Sequence, residues 1–424
     1  MADDSAGVTP QALRAFASRE MERLAERPPS LPFDRAEYAS RLGRLRRQMA
    51  ADGIDVLVVT APDAMCWLHG YSSRWYRTNS STTLPPTQCT VVHVDSPPMF
   101  MIETGYHEEL VRLTSCIEDF RPIPATDLNH EASVDDFVRF LVGEVGSQGW
   151  LSGVVGLERW SCLPNPVVAS AVEAALTEHG CRVVDATSTI RSVRRLKSPA
   201  EIAVIEKAQV VCDAGLEELW RVARPGMTEL EAWSAYMTGQ IAAGGEPAAI
   251  HETVAAGPLM PMGHTVSSRR PLERGEYFHA DACGAVEHYH ARGTRPYFLG
   301  DPPAEVLRLA EIIGGAFEVL ASTARVGMPF RDLHRVLREY YEDAGVATDD
   351  FFAGGYELGI SFPPDWVGEF CWSIHDDETE AVIEDGLVTN IESVAFLAMV
   401  DTVVFEEPRA RVLSRVPREL LVIP

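Results

Sequence analysis

A break in hydrophobic texture around Ile190–Pro199 constrains the fold more than any other feature of the chain. Before it, short apolar runs alternate with helical patterns. Tyr38, Leu42, Leu45 and Met49 recur every three or four residues and predict a helix over 34–52, stopped by Gly53. Residues 54–60 then form a continuous rather than alternating apolar run, which reads as a buried strand. Further strands are expected at 90–94, 98–102, 153–157 and 182–185, and helices at 134–145 and 167–179. This alternation predicts an α/β domain. After the break, two long amphipathic helices are expected at 201–222 and 229–242, the first opened by Ser198-Pro199. Strands and loops follow from about 253 to 300. Two more helices are expected at 304–324 and 330–344, with Gly327 and Pro329 between them, then strands at 387–394, 402–405 and 420–423. Helix pair, strands, helix pair, strands describes a duplicated α+β half, although no internal sequence repeat stands out. With residues 1–30 as a polar extension, the expected organisation is 1–30, 31–190 and 191–424.

Charge narrows the function classes. The chain carries 37 Lys and Arg against 62 Asp and Glu, a net charge of −25, so a polyanion such as nucleic acid is not an expected partner. The basic run Arg44-Leu45-Arg46-Arg47 sits within a helical pattern and reads as a solvated helix face. No stretch approaches the ~20 apolar residues of a membrane span. The first residues, Met-Ala-Asp-Asp-Ser, have neither the basic start nor the apolar core of an export signal, so a cytoplasmic location is expected. The eight cysteines contain no C-x-x-C pair, which argues against zinc-finger and thioredoxin-type sites and for reduced thiols.

Several segments resemble one family. "RRLKSPAEIAVIEKAQ" (194–209), "PLERGEYFHADACG" (271–284), "YHARGTRPYFLG" (289–300), "EDGLVTNIES" (384–393) and "VDTVVFEEPRARVLSRVPREL" (400–420) follow the order and spacing of the pita-bread catalytic domain. That domain is shared by aminopeptidases, prolidases and creatinase, the peptidase M24 family. "GYELGISFPPDWVGE" (355–369) and "PFDRAEYASRLGRLRRQMAADGIDVLVVTAPDAMCWLHGY" (32–71) resemble its ectoine-hydrolase subgroup. The resemblance implies an α/β N-terminal domain followed by an α+β pita-bread catalytic domain.

It also poses a metal question. The family's metallopeptidases hold two divalent ions with two Asp, one His and two Glu. By resemblance these positions are Asp281, Arg292, Tyr356, Glu392 and Val400, so two of five ligands remain and one position carries a fixed cation. Hard and borderline ions require anionic oxygen or imidazole. The expectation is therefore no metal and no cofactor, and a hydrolase of a non-peptide C–N bond in a small zwitterionic amidine such as ectoine. Three other readings stay open: a creatinase-like enzyme acting on a guanidino compound or specialised metabolite, a metal-dependent Xaa-Pro peptidase, and a non-catalytic binding homologue.

The catalytic candidates are His264, Asp281 and Glu392. His264 lies in "MGHTVSS", where creatinase-like enzymes carry a His acting as general acid and base. The two carboxylates match the N–H groups of an amidinium. Arg292 or Arg295 is expected to hold the substrate carboxylate. A strand period of two places His288, His290 and Arg292 on one face, making His290 a substrate-binding candidate alongside Tyr356. The stiff "PPDWVGE" loop offers Asp365 and Trp366, and an indole face suits a delocalised cation. His251 and Glu252 enter the same region. By family resemblance a homodimer is expected, with the N-terminal domain of one chain closing the other's site through 67–79, including Trp75, Tyr76 and Arg77.

Overall fold

Asp34 accepts the Glu37 backbone N–H at 2.8 Å and so starts the helix Arg35–Asp52; Gly53, at φ 68°, ends it in the left-handed region. Tyr38, Leu45 and Met49 are buried as the periodicity requires. The computed structural model describes residues 9–73, 82, 85–124, 133–161, 163–258, 262–346 and 351–424. The chain divides into two units, Met1–Ile190 and Arg191–Pro424.

The first unit is built on a mixed six-stranded sheet. Its strands are β1 (Val56–Val59), β2 (Cys89–His93), β3 (Phe100–Thr104), β4 (Asp119–Ile123), β5 (Val154–Leu157) and β6 (Arg182–Asp185), in the order β4-β3-β2-β1-β5-β6. Every residue of β1 is buried, which explains its continuous apolar run. The helices Val134–Ser147 and Pro166–Glu178 cover the sheet with Phe137, Leu141, Val168 and Leu176. Several elements differ from expectation: Pro10–Ala25, within the expected polar extension, Pro62–His69 and Glu108–Thr114 are helices, and two further differences have a local cause. The edge strand β4 contains Pro122, which suppresses a strand signal but is tolerated at an edge. The expected link at the texture break is largely helical, as Thr187–Arg195. Among the described residues no helix is long and apolar enough to cross a membrane.

The second unit carries β7 (Thr253–Ala256), β8 (Tyr277–Val286), β9 (Tyr289–Leu299), β10 (Phe352–Tyr356), β11 (Cys371–Ser373), β12 (Leu387–Val394), β13 (Ala398–Phe405), β14 (Arg411–Val412) and β15 (Leu421–Ile423). Their order is β11-β10-β12-β13-β9-β8-β7, with β14 on β13 and β15 on β9. Ser198 and Glu201 form a reciprocal cap at the start of the helix Pro199–Val222, and Thr228 and Glu231 do the same for Glu229–Ala242. The first helix lies so close to the sheet that a Cβ on Gly284 would meet the Ala208 carbonyl oxygen at 2.0 Å. Even-numbered β8 residues therefore face helix, and odd-numbered ones face away.

The two halves of this unit repeat each other in detail. The helix pairs Pro199–Val222 with Glu229–Ala242, and Ala304–Thr323 with Phe330–Asp343, are joined by Arg224-Pro-Gly-Met227 and Arg325-Val-Gly-Met328. Gly226 and Gly327 both have positive φ, 84° and 86°. Gly226 N–H donates to Leu272 O and Gly327 N–H to Ile383 O. Three residues after these acceptors come Gly275 and Gly386, again both left-handed. Each opens a long strand, β8 or β12. Six residues beyond each glycine stands a carboxylate, Asp281 in one half and Glu392 in the other.

Candidate active site

Strand register assembles the site. Thr253, Asp281, Thr294, Val400 and Glu392 are laterally paired across β7, β8, β9, β13 and β12, so they share one row and one face. Asp281 and Glu392 are three strand spacings apart, roughly 14 Å on a flat sheet. Two residues along on the same face lie Arg292 and Asn390.

Arg292 organises the row. Its Nη2 donates to Asp281 Oδ1 at 2.6 Å, Nη1 to the Ala282 carbonyl at 2.7 Å and Nε to the Tyr356 hydroxyl at 2.9 Å. Its guanidinium carbon lies 4.6 Å from the centre of the Trp366 ring, and the Trp366 indole N–H donates to the same Tyr356 oxygen at 3.1 Å. Three of the five guanidinium N–H groups are thus engaged within the protein. Thr294 donates a second bond to Asp281 Oδ1, at 2.7 Å. Asn390 donates to Glu392 Oε1 at 2.9 Å, while its own Oδ1 accepts the Tyr356 backbone N–H at 2.6 Å.

The two carboxylates titrate in opposite directions. Burial opposes the charge of Asp281, but Arg292 and Thr294 outweigh it and hold the group below the ordinary carboxylate range. Burial pushes Glu392 upward; Arg292 counteracts this, the Asp281 charge adds to it, and the net position is above the ordinary range. His264 lies exposed and favours the Glu392 anion electrostatically. Glu252 is buried, and burial raises it to about 7. Among the described residues neither its Oε1 nor the Trp233 indole nitrogen beside it has a partner in good hydrogen-bond geometry. His251, next to it, is exposed.

Other expected site residues are placed differently. Arg295 follows Thr294 and so faces the opposite side of the strand. It is fully buried and bonds Pro417 O, Thr294 O, Val400 O, Asp401, Ser414 and Val416 O, so it presents no fork to a ligand. His290 shares the face of Arg292, but Nε2 accepts the Ala249 N–H at 3.0 Å and Nδ1 donates to His288 O at 2.8 Å. Both nitrogens are engaged, and burial lowers its pKa to about 4, so it supports the wall as a neutral ring rather than binding substrate. His288 is not in a strand: with Glu287 it forms a two-residue hairpin turn at positive φ, 63° and 50°. Glu246 stabilises that turn by accepting both backbone N–H groups. Asp365 is exposed and accepts the Val367 N–H within its own loop, whereas Trp366 is buried against Arg292. Trp75, Tyr76 and Arg77 lie outside the described residues.

Thr294, Asn390 and His279 were not singled out by sequence. Parity from Asp281 and Glu392 was the available signal, since each lies on a carboxylate's own strand or directly opposite it. His279 is fully buried two residues before Asp281; burial lowers its pKa, Nδ1 donates to Gly257 O at 3.1 Å, and Nε2 has no partner among the described residues.

A pair of divalent ions does not fit this donor set. Asp281 Oδ1 is bonded to a guanidinium and a hydroxyl, Tyr356 is tied to Arg292 and Trp366, and Val400 offers no donor. Among the described residues no group of three His, Cys, Asp or Glu side chains is arranged to hold an ion.

Comparisons with known proteins bear on the two domains and their fold. Residues 41–196 match the creatinase/prolidase N-terminal domain and residues 203–408 match metallopeptidase family M24. Ectoine hydrolase from Halomonas elongata is 28% identical over 428 aligned residues, covering 93% of this chain and 99% of that one. An Xaa-Pro dipeptidase from Pyrococcus furiosus is 26% identical over 55% of this chain and 66% of its own length. The crystal structure of an X-Pro aminopeptidase from Thermotoga maritima superposes with a TM-score of 0.72 at 19% identity, covering 90% of this chain and 99% of that one.

Proposed function

Because the chain belongs to metallopeptidase family M24 and carries a creatinase/prolidase N-terminal domain, and so is a hydrolase of that family, we propose that it opens a non-peptide C–N bond in a small zwitterionic amidine of the ectoine type, without metal. The observation that carries this reading is Arg292. It sets a permanent cation against Asp281, at the position where, by the resemblance, the family's metallopeptidases carry a carboxylate. A positive charge fixed there disfavours a second and third positive charge from metal ions and favours an organic anion.

The chemistry follows from the two carboxylates. Asp281, held ionised, receives the amidinium N–H groups, and the unengaged N–H groups of Arg292 receive the substrate carboxylate. Trp366 supplies a flat wall beside them. Glu392, whose proton affinity is raised, takes a proton from water as the oxygen attacks the amidinium carbon. A C–O bond forms and a tetrahedral carbon results. The ring C–N bond then breaks, its electron pair stays on nitrogen, Glu392 or His264 returns the proton to that nitrogen, and the hydroxyl proton of the tetrahedral carbon follows as its C=O bond forms. The products are an amide and an ammonium ion, with no change in oxidation state.

Incubation of the purified protein with ectoine, with and without EDTA, followed by mass spectrometry, tests the reading. Ring-opened product at an unchanged rate in EDTA is expected. Absence of turnover on ectoine, or Xaa-Pro dipeptide cleavage that requires added divalent metal, overturns it.

A further inference from the structure

The helix Pro10–Ala25 in the N-terminal unit has no buried residue. It is nevertheless well formed and fastened. The Thr9 hydroxyl caps it by accepting the Ala12 N–H. At the other end Arg112 donates to Leu24 O at 2.6 Å and to Arg27 O at 2.8 Å. Yet Leu13, Phe16 and Met21 are 58%, 54% and 54% exposed. At ~100° per residue, Leu13, Phe16, Ala17, Met21 and Leu24 fall within an arc of about 140°, a stripe of core-facing width. Sixteen residues of helix without packing are marginal in water, so this stripe requires a cover. Among the described residues of this chain none provides it.

Charge and spacing identify the cover. Residues 10–19 carry Arg14 and Arg19 and no acid, whereas residues 20–26 carry Glu20, Glu22 and Glu26 with Arg23. The halves are therefore +2 and −2, reversed from what the helix dipole favours in a lone helix. An antiparallel copy sets each half against its opposite. The apolar residues obey the same symmetry: Leu13 and Leu24, and Phe16 and Met21, are equidistant from the point between Ser18 and Arg19. A two-fold axis there brings Leu13 level with Leu24 and Phe16 level with Met21. Glu20, which lies within the stripe and pairs with Arg23 at 2.9 Å, then comes level with Ala17, one turn from Arg14 of the other copy. The helix precedes residue 41, where the family match begins, so this device lies outside the family domains.

We propose that the helix Pro10–Ala25 pairs antiparallel with the same helix of a second copy of this chain, about a two-fold axis at Ser18–Arg19. The pairing is self-complementary, as a closed dimer contact must be. It is independent of the reaction proposed above.

Two measurements on the full-length protein decide it. In sedimentation velocity, Phe16→Glu combined with Met21→Glu weakens self-association by about a hundredfold, since the charges desolvate at the centre of the seam. Both residues are exposed in the single chain, so folding is unaffected. Second, in a Cys371→Ser background, which removes an exposed thiol, Leu13→Cys and Leu24→Cys chains, whose substituted positions lie at the middle of the arc and face each other across the seam, are mixed under mild oxidation. A disulfide-linked heterodimer is expected in excess of either homodimer. Arg19→Cys, on the outer face, is expected to give none. The proposal fails if the double glutamate variant associates as tightly as the unmodified chain, if Leu13→Cys links to itself as readily as to Leu24→Cys, or if Arg19→Cys cross-links equally well.

Discussion

Arg292 and Asp281 meet through a 2.6 Å hydrogen bond between Nη2 and Oδ1, in a pair whose cation is buried and whose carboxylate is half-buried. Each charge depends on the other for its place in the interior. Removing the cation leaves an anion with one hydroxyl partner. Arg292→Gln is therefore expected to destabilise the second unit by about 3–5 kcal/mol and to abolish turnover. Thermal unfolding and an ectoine assay below the new melting temperature check both halves of that statement. An unchanged melting temperature would show that Arg292 is not the structural centre of the site.

Tyr356 receives two donors on one oxygen, Arg292 Nε and Trp366 Nε1. Tyr356→Phe keeps the ring and orphans both. A cost of about 1–3 kcal/mol per unsatisfied buried donor is expected. The Michaelis constant rises more than kcat falls, because the lost bonds orient the binding wall rather than touch the scissile bond. Steady-state kinetics separate the two effects, and a fall in kcat alone would contradict this.

Glu392 has its proton affinity raised by burial and by Asp281. If it accepts the proton of water, kcat/KM rises with pH through a pKa above the ordinary carboxylate range and then levels. Glu392→Gln is expected to lower kcat by about 10²–10⁴ and to remove that acidic limb. A pH profile identical in shape to the unmodified enzyme would assign the base elsewhere, with His264 next in line.

Glu252 gives a prediction about stability. Its folded pKa of about 7 lies above the unfolded carboxylate value, so the folded state binds a proton more tightly than the unfolded chain. That contribution is complete at pH values below the unfolded pKa and is lost as pH rises through 7. Glu252→Gln removes the charging penalty, so it stabilises the protein at pH 8 by up to about 3 kcal/mol and has little effect at pH 4.5. Denaturant midpoints at the two pH values test the sign; stabilisation confined to acid pH would refute it.

Much of this was legible in sequence, for physical reasons that can be named. Strands such as β1 announced themselves because burial on both faces demands continuous apolar residues. Asp281 and Glu392 stood out through the family resemblance, as the two carboxylates left standing at the family's five ligand positions. Thr294 and Asn390 did not, since neither stands at one of those positions. Their importance lies in register, which depends on partners distant in sequence. Arg295 misled by proximity: neighbours on a strand point to opposite faces, and Arg295 is absorbed by Asp401 and loop carbonyls. The apolar stripe of the helix Pro10–Ala25 was hidden within a polar composition, and the Arg-x-Gly-Met joints were too short to read as a repeat before their shared hydrogen bonds were seen.

The twofold construction of the second unit has a chemical consequence. Gly275 and Gly386 start two equivalent strands, and the backbone delivers one carboxylate from each at the same step. Identical scaffolding would give identical acids. Instead a guanidinium and a hydroxyl stand beside one, and an amide stands beside the other. Duplication supplied a matched pair of instruments, and the neighbours tuned them apart, one kept as a permanent anion and the other left able to accept and release a proton. Retuning such an enzyme toward another substrate requires no new backbone, only different company for Asp281 and Glu392.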